Sequence, residues 1–144
     1  MNIAENRHIQ VIHFDMMEET RKNALQSLGQ ILPDRNVIGD PFWTLMKIDV
    51  RTKNNIGDYF VIENSLPLFT SKKIAEACCK LKEGYAVFGI SQKHLCYLIS
   101  LVETGMCPYR LGIIRPSKQP SASMNYRVEM HDVEYKTIRE IYVR

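Results

Sequence analysis

The chain has 144 residues, 45% of them hydrophobic and 24% charged, with a formal net charge of +3. That length suits a single globular domain spanning 1–144 with a core of its own, and the composition is not that of a disordered or low-complexity chain. No apolar run approaches a membrane span and the opening residues lack a basic-then-apolar signal pattern, so a soluble, cytoplasmic protein with no membrane partner is expected.

Arg7 to Phe14 alternates weakly around Ile9, Val11 and Phe14, which predicts a first strand. His8 and His13 are five apart there and point to opposite faces, so they cannot share a metal. Asp15-Met16-Met17-Glu18 has the form of a capping box, and a helix follows to about Leu28 with Gly29 expected just past its end. Its apolar stripe is Met17, Ala24, Leu25 and Leu28, and Glu18 and Glu19 sit in the first turn, where the helix dipole favours negative charge.

Residues 31–39, with Pro33-Asp34 and Asn36, read as a connection containing at most a short strand. The densest alternation lies at residues 40–63. Trp43, Leu45, Lys47, Asp49 and Arg51 fall on one face of an extended chain, and Phe42, Thr44, Met46, Ile48 and Val50 on the other. This predicts a strand buried on both faces at its start and open to solvent at its end. Asn54 to Asp58 carries turn residues, and Tyr59 to Glu63 is expected as the returning strand.

Leu66-Pro67-Leu68 is expected to break the sheet before a second helix capped by Thr70 or Ser71. There Ile74, Ala77, Cys78 and Leu81 form the inward stripe and Gly84 closes. Tyr85–Ile90 reads as a strand. Ser91 caps a third helix with Leu95, Leu98, Ile99 and Val102 inward and Gly105 at its end, although the Tyr, Ile and Val content also suits a strand. Tyr109–Arg115 is a further strand. Pro116 to Ser123 is a flexible loop, and Asn125–Met130 and Val133–Val143 alternate as two closing strands. The sum is an α+β fold, two or three helices on a mostly antiparallel mixed sheet.

The four cysteines, Cys78, Cys79, Cys96 and Cys107, include no C-x-x-C pair, so free thiols are expected in place of a zinc ribbon or disulfide framework. No glycine-rich phosphate loop, H-E-x-x-H or nucleophile elbow is present. Charge is uneven: residues 1–105 carry 12 basic and 12 acidic groups, and residues 106–144 carry 7 and 4. Arg110, Arg115, Lys118 and Arg127 are therefore candidate binding residues for nucleic acid or an acidic protein surface.

LQSLGQILPDRNVIGD, followed shortly by KIDVRTKNNIGD, resembles the opening of small restriction-endonuclease-like proteins of the YraN type. The resemblance implies a nucleic-acid-contacting domain, active or degenerate. It makes Asp40, Asp49 and Arg51 the candidate catalytic residues and Glu18 (or Glu19), Asp40 and Asp49 the candidate ligands of Mg²⁺ or Mn²⁺. Arg51 stands where the family has a lysine, and arginine does not give up a proton. A second phrase, YFVIENSLPLFTSKKIAEAC followed by GYAVFGI, is similar to a strand–helix–strand unit of bacterial toxin-immunity proteins. It implies no enzyme but a protein-binding module: an immunity factor, inhibitor or regulator.

Overall fold

The computed structural model describes residues 18–117 and 128–144. The expected strand at Arg7–Phe14, the cap at Asp15, and most of the Pro116–Ser123 loop, with Lys118 and Arg127, lie outside them. The described elements are helix α1 (residues 18–31), strands β1 (Phe42–Ile48), β2 (Asn55–Tyr59) and β3 (Ser65–Phe69), helix α2 (Lys72–Cys79), strand β4 (Tyr85–Ile90), helix α3 (Gln92–Glu103), strands β5 (Arg110–Pro116) and β6 (Val128–Val133), and helix α4 (Tyr135–Tyr142). This is the expected α+β class, with one helix more than expected. No helix among the described residues is long and apolar enough to cross a membrane.

Strand β1 organises the sheet. Strand β4 pairs with it antiparallel from Phe42↔Ile90 to Lys47↔Tyr85 and fills one edge. The other edge is shared: β2 pairs at Met46↔Tyr59 and Ile48↔Asn55, and β3 at Trp43↔Phe69. Beyond β3 come β5, which is parallel to it, and β6, which is antiparallel to β5. Side chains alternate across the pleat, so each strand supplies two cores. Phe42 and Met46 join Leu66, Leu68, Phe88 and Ile90 on the face covered by α1, α3 and α4. Leu45 joins Phe69, Ile74, Ala75 and Ile114 on the face covered by α2. The two faces of β1 divide by parity, and its end at Asp49–Arg51 is exposed, both as the alternation predicts.

Five sequence expectations are corrected. The turn after β1 is at residues 49–54, and Asn55–Tyr59, expected as turn and strand start, is itself β2. Asp49 closes that turn by accepting hydrogen bonds from the backbone N–H of Arg51 and Thr52, and Lys53 takes φ 63. Asn55 uses its side chain to hold β2 and not to turn it: Nδ2 donates to Gly29 O at 2.6 Å and to Pro33 O at 3.1 Å. Leu66-Pro67-Leu68 is not a break but the middle of the fully buried β3. Proline is tolerated because the β1 edge meets β3 in register only at Phe69, while Thr44 Oγ1 donates to the Pro67 carbonyl at 3.4 Å.

In α2 the inward residues are Ile74, Ala75, Cys78 and Cys79, while Ala77 faces out and Leu81 lies beyond the helix, 83% exposed. The helix stops at Cys79, too early for Leu81 to complete the stripe. Val133–Val143 contains a helix, α4, because Tyr135, Ile138 and Tyr142 recur at i, i+3 and i+7 and Ile138 is fully buried. Ring edges of Phe42 and Tyr142 meet at 4.8 Å between centroids and dock it. The third helix is as expected, capped by Ser91 and followed by Gly105 at φ 76.

The fifth correction concerns Gly29, which lies inside α1. A Cβ there would meet Gly57 O at 2.8 Å, Gly57 Cα at 3.0 Å and Met46 Cε at 2.6 Å, so α1 crosses β2 almost backbone to backbone. Gly57 reciprocates with φ 91 and a Cβ position 2.5 Å from Gln26 O. In a free helix, Gly→Ala stabilises by about 1 kcal/mol. Here Gly29→Ala is expected to destabilise by about 2 kcal/mol in urea unfolding, since overpacking against backbone outweighs propensity. A more stable variant would show that the helix does not approach β2 this closely.

Candidate functional site

The carboxylates proposed as metal ligands stand at separate corners. Asp40 precedes β1 and Asp49 follows it, with ~20 Å of strand between them. Glu18 is the first described residue of α1, ~18 Å along the helix axis from Gln30, the end that touches β2 near Ile56. Each has a local partner. The Asp40 side chain pairs with Arg144, and its carbonyl accepts from Gln92 Nε2 at 2.8 Å, tying the C-terminus to the start of β1. Glu18 pairs with Arg21 at 3.3 Å. Asp49 is held below the usual carboxylate range by the N–H groups of Thr52 and Arg51. A Mg²⁺ or Mn²⁺ bridge needs two carboxylates in one place, and these three do not provide it; no group suited to a metal occurs among the described residues. Arg51 is exposed on the same turn and its side chain meets no carboxylate among the described residues.

Among the described residues, four arginines of the basic C-terminal third lie beside carboxylates. Arg110 lies 3.5 Å from Asp132, whose other oxygen accepts from Ser65 Oγ at 2.6 Å. Arg115 lies opposite Glu129 across β5 and β6 and helps lower its pKa, behind larger effects from His131 and Ser117. Arg139 pairs with Glu103 at 2.6 Å and Arg144 with Asp40. Exposed pairs of this kind add little stability, but they cancel local field. Two of these carboxylates, Asp40 and Glu103, come from the N-terminal 105 residues. Their use leaves cations of that region without partners.

Three cations of that region, Arg35, Lys53 and Lys93, lie where α1 ends, whereas others without an ion pair among the described residues, such as Lys73 and Lys80, lie around α2. Arg35 and Lys53 line a groove of about 680 Å³ between the connection after α1 and the 49–54 turn. Lys93, in the first turn of α3, lines a smaller groove of about 380 Å³ between α1 and α3. Ile31 and Leu32 belong to both grooves, so the surface is continuous. Among the described residues none of these three cations makes an ion pair with a carboxylate. Asp34, the acid inside the first groove, has Oδ1 taken by the Asn36 N–H at 2.8 Å. The Lys93 ammonium rests 5.9 Å from the Tyr97 ring centroid. Ile31 is 79% and Tyr97 47% exposed. Composition does not point to this surface, because its cations are separated in sequence and offset there by neighbouring acids such as Asp34 and Asp49.

A third cleft, of about 650 Å³, lies at the other end of α1 and is bordered by Glu18, Glu19, Lys22, Asp58, Tyr59 and Tyr109. The Tyr59 hydroxyl is turned away from solvent, 2.7 Å from His94 Nε2. Burial raises the Tyr59 pKa, and Cys107 adds to it. The cysteines are free, with Cys96 exposed, Cys78 and Cys79 half-buried and Cys107 buried, and burial raises the thiol pKa of the last three.

His94 is 1% exposed, and burial pulls its pKa from 6.5 down to about 4. Its Nδ1 has no hydrogen-bond partner among the described residues. The fold holds the neutral imidazole, so the unfolded chain protonates first. Above pH 6.5 there is no penalty; stability falls as pH drops from 6.5 to about 4, where the loss reaches ~3 kcal/mol. Urea unfolding across that range should show the wild type losing about 3 kcal/mol relative to His94→Phe between pH 6.5 and about 4. A parallel offset at all pH values would mean that His94 titrates normally.

No protein-family model, no curated protein and no solved structure matches this chain.

Proposed function

We propose that the chain is a protein-binding module for an acidic partner, which docks where α1 ends. The observation that supports this is the charge distribution after folding. Arg110, Arg139 and Arg144 pair with carboxylates and Arg115 faces Glu129 across the sheet, whereas Arg35, Lys53 and Lys93 lie beside exposed apolar side chains, make no ion pair among the described residues and outnumber Asp34, the one carboxylate lining the two grooves. Electrostatic complementarity steers a partner and sets its register, and the desolvated apolar contacts hold it. Part of the carbonyl end of α1 is satisfied without these cations. Asn55 caps Gly29 O and Pro33 O, and Leu32 N–H donates to Leu28 O at 3.1 Å.

The endonuclease-like alternative asks Glu18, Asp40 and Asp49 to converge, and they occupy three corners. Its nucleic-acid partner stays testable beside the acidic protein. Binding of a glutamate-rich peptide and of a DNA oligonucleotide of equal charge should be compared at several salt concentrations. Arg35→Glu with Lys53→Glu is expected to weaken peptide binding about tenfold, while Arg110→Ala with Arg115→Ala changes it less than about twofold. Tighter binding of the oligonucleotide, lost in the Arg110/Arg115 variant, would return the site to the C-terminal third and the partner to nucleic acid.

A further inference from the structure

Resting on that reading, we propose that the groove between α1 and α3 receives an acidic amphipathic helix of the partner. The two helices run antiparallel. At one end Arg21 approaches Gly105, whose Cβ position is 3.9 Å from Arg21 Nη2, and at the other Leu32 and Lys93 line the same groove. One wall is Ala24, Leu28, Ile31 and Leu32, spaced i, i+4, i+7 and i+8; the other is Lys93, Tyr97, Ser100 and Leu101, with the same spacing. Such rows are ridges that leave a trough along the axes, and a third helix fits it with its own residues at i, i+3, i+4 and i+7. Residues 24 to 32 span ~12 Å, so the occupant contacts the trough over about two turns.

Charge orients the occupant. At the Ile31 end stand Lys93 and, across the shared Ile31–Leu32 ridge, Arg35 and Lys53 with the single carboxylate Asp34, a net excess of positive charge. At the opposite end Glu103 and Glu18 are paired with Arg139 and Arg21, and Glu19 is exposed. The occupant therefore places its acidic residues at the Ile31 end and apolar residues along the trough. The C-terminus of α1 and the N-terminus of α3 lie side by side at that end, so their dipoles largely cancel and the side-chain cations set the local sign.

The probe is a synthetic helical peptide of about four turns, with leucines at i, i+4, i+7 and i+11 and glutamates concentrated at one end. Controls are its lysine counterpart and a scrambled acidic peptide of equal composition. Fluorescence anisotropy should show the acidic amphipathic peptide binding more tightly than the scrambled one by about tenfold or more, with no binding of the lysine counterpart. Ile31→Glu and Lys93→Glu, both at exposed positions, should each weaken it about tenfold or more and move Tm by less than about 3 °C. If the scrambled peptide binds as well, and Arg35→Glu with Lys53→Glu weakens both, the acidic partner stands and the helical occupant is overturned. Binding insensitive to Ile31→Glu also overturns the groove. Failure of every acidic peptide to bind, with both variants folded, overturns the inference together with the reading on which it rests.

Discussion

The close approach of α1 to β2 is the constraint on which the rest depends. Gly29 and Gly57 remove the side chains that would hold helix and strand apart, and the glutamines flanking the contact secure it: Gln30 Nε2 donates to Ile56 O at 3.1 Å, and Gln26 reaches Ile56 O and Asp58. With the helix seated there, Leu25 and Leu28 pack into the core shared with Phe42 and Met46. Ile31, in the same last turn as Leu28, is exposed, and the connection that follows runs back along β4 to reach β1. At Gly89 that connection comes so close that a Cβ would lie 2.3 Å from Val37 O.

The sheet shows how one strand edge can serve two partners. Residues 55–69 meet β1 at β2, leave it, and return at Phe69 after forming β3. The excursion lets β3 pair in parallel with β5 over the whole of Ser65–Phe69, which carries the sheet on to β6. Folding also rearranges charge. Ion pairs between Asp40 and Arg144 and between Glu103 and Arg139 join the ends of elements far apart in sequence. They take up two arginines of the basic C-terminal third, while Arg35, Lys53 and Lys93 near the end of α1 make no ion pair among the described residues.

Period carried much of the fold in the sequence. The alternation of residues 42–50 divides into the two faces of β1, and Ser91 with Leu95, Leu98 and Ile99 marks α3. Where two periods coexist, sequence misleads: Val133–Val143 alternates, yet Tyr135, Ile138 and Tyr142 also fit a helix, and burial of Ile138 against α3 and β1 decides it. Local chemistry misleads where a tertiary partner takes it over. Asn55 and Gly57 look like turn residues because their special capacities are real, but those capacities serve the contact with α1. Pro67 looks like a break because the single register pair that spares it lies on a strand distant in sequence. The candidate site was less legible than the fold. Asp40, Asp49 and Glu18 attract attention as carboxylates, and only geometry shows that they are separate, while Arg35, Lys53 and Lys93 become one surface only when α1, the 49–54 turn and α3 meet.

Amide chemical-shift mapping on isotope-labelled protein, titrated with the acidic amphipathic peptide, tests the central claim most directly. Shifts are expected to cluster on residues 24–35, 52–55 and 93–101, the three segments that meet at the end of α1. Shifts centred on β5, β6 and α4 would place the interaction on the C-terminal third and contradict the account.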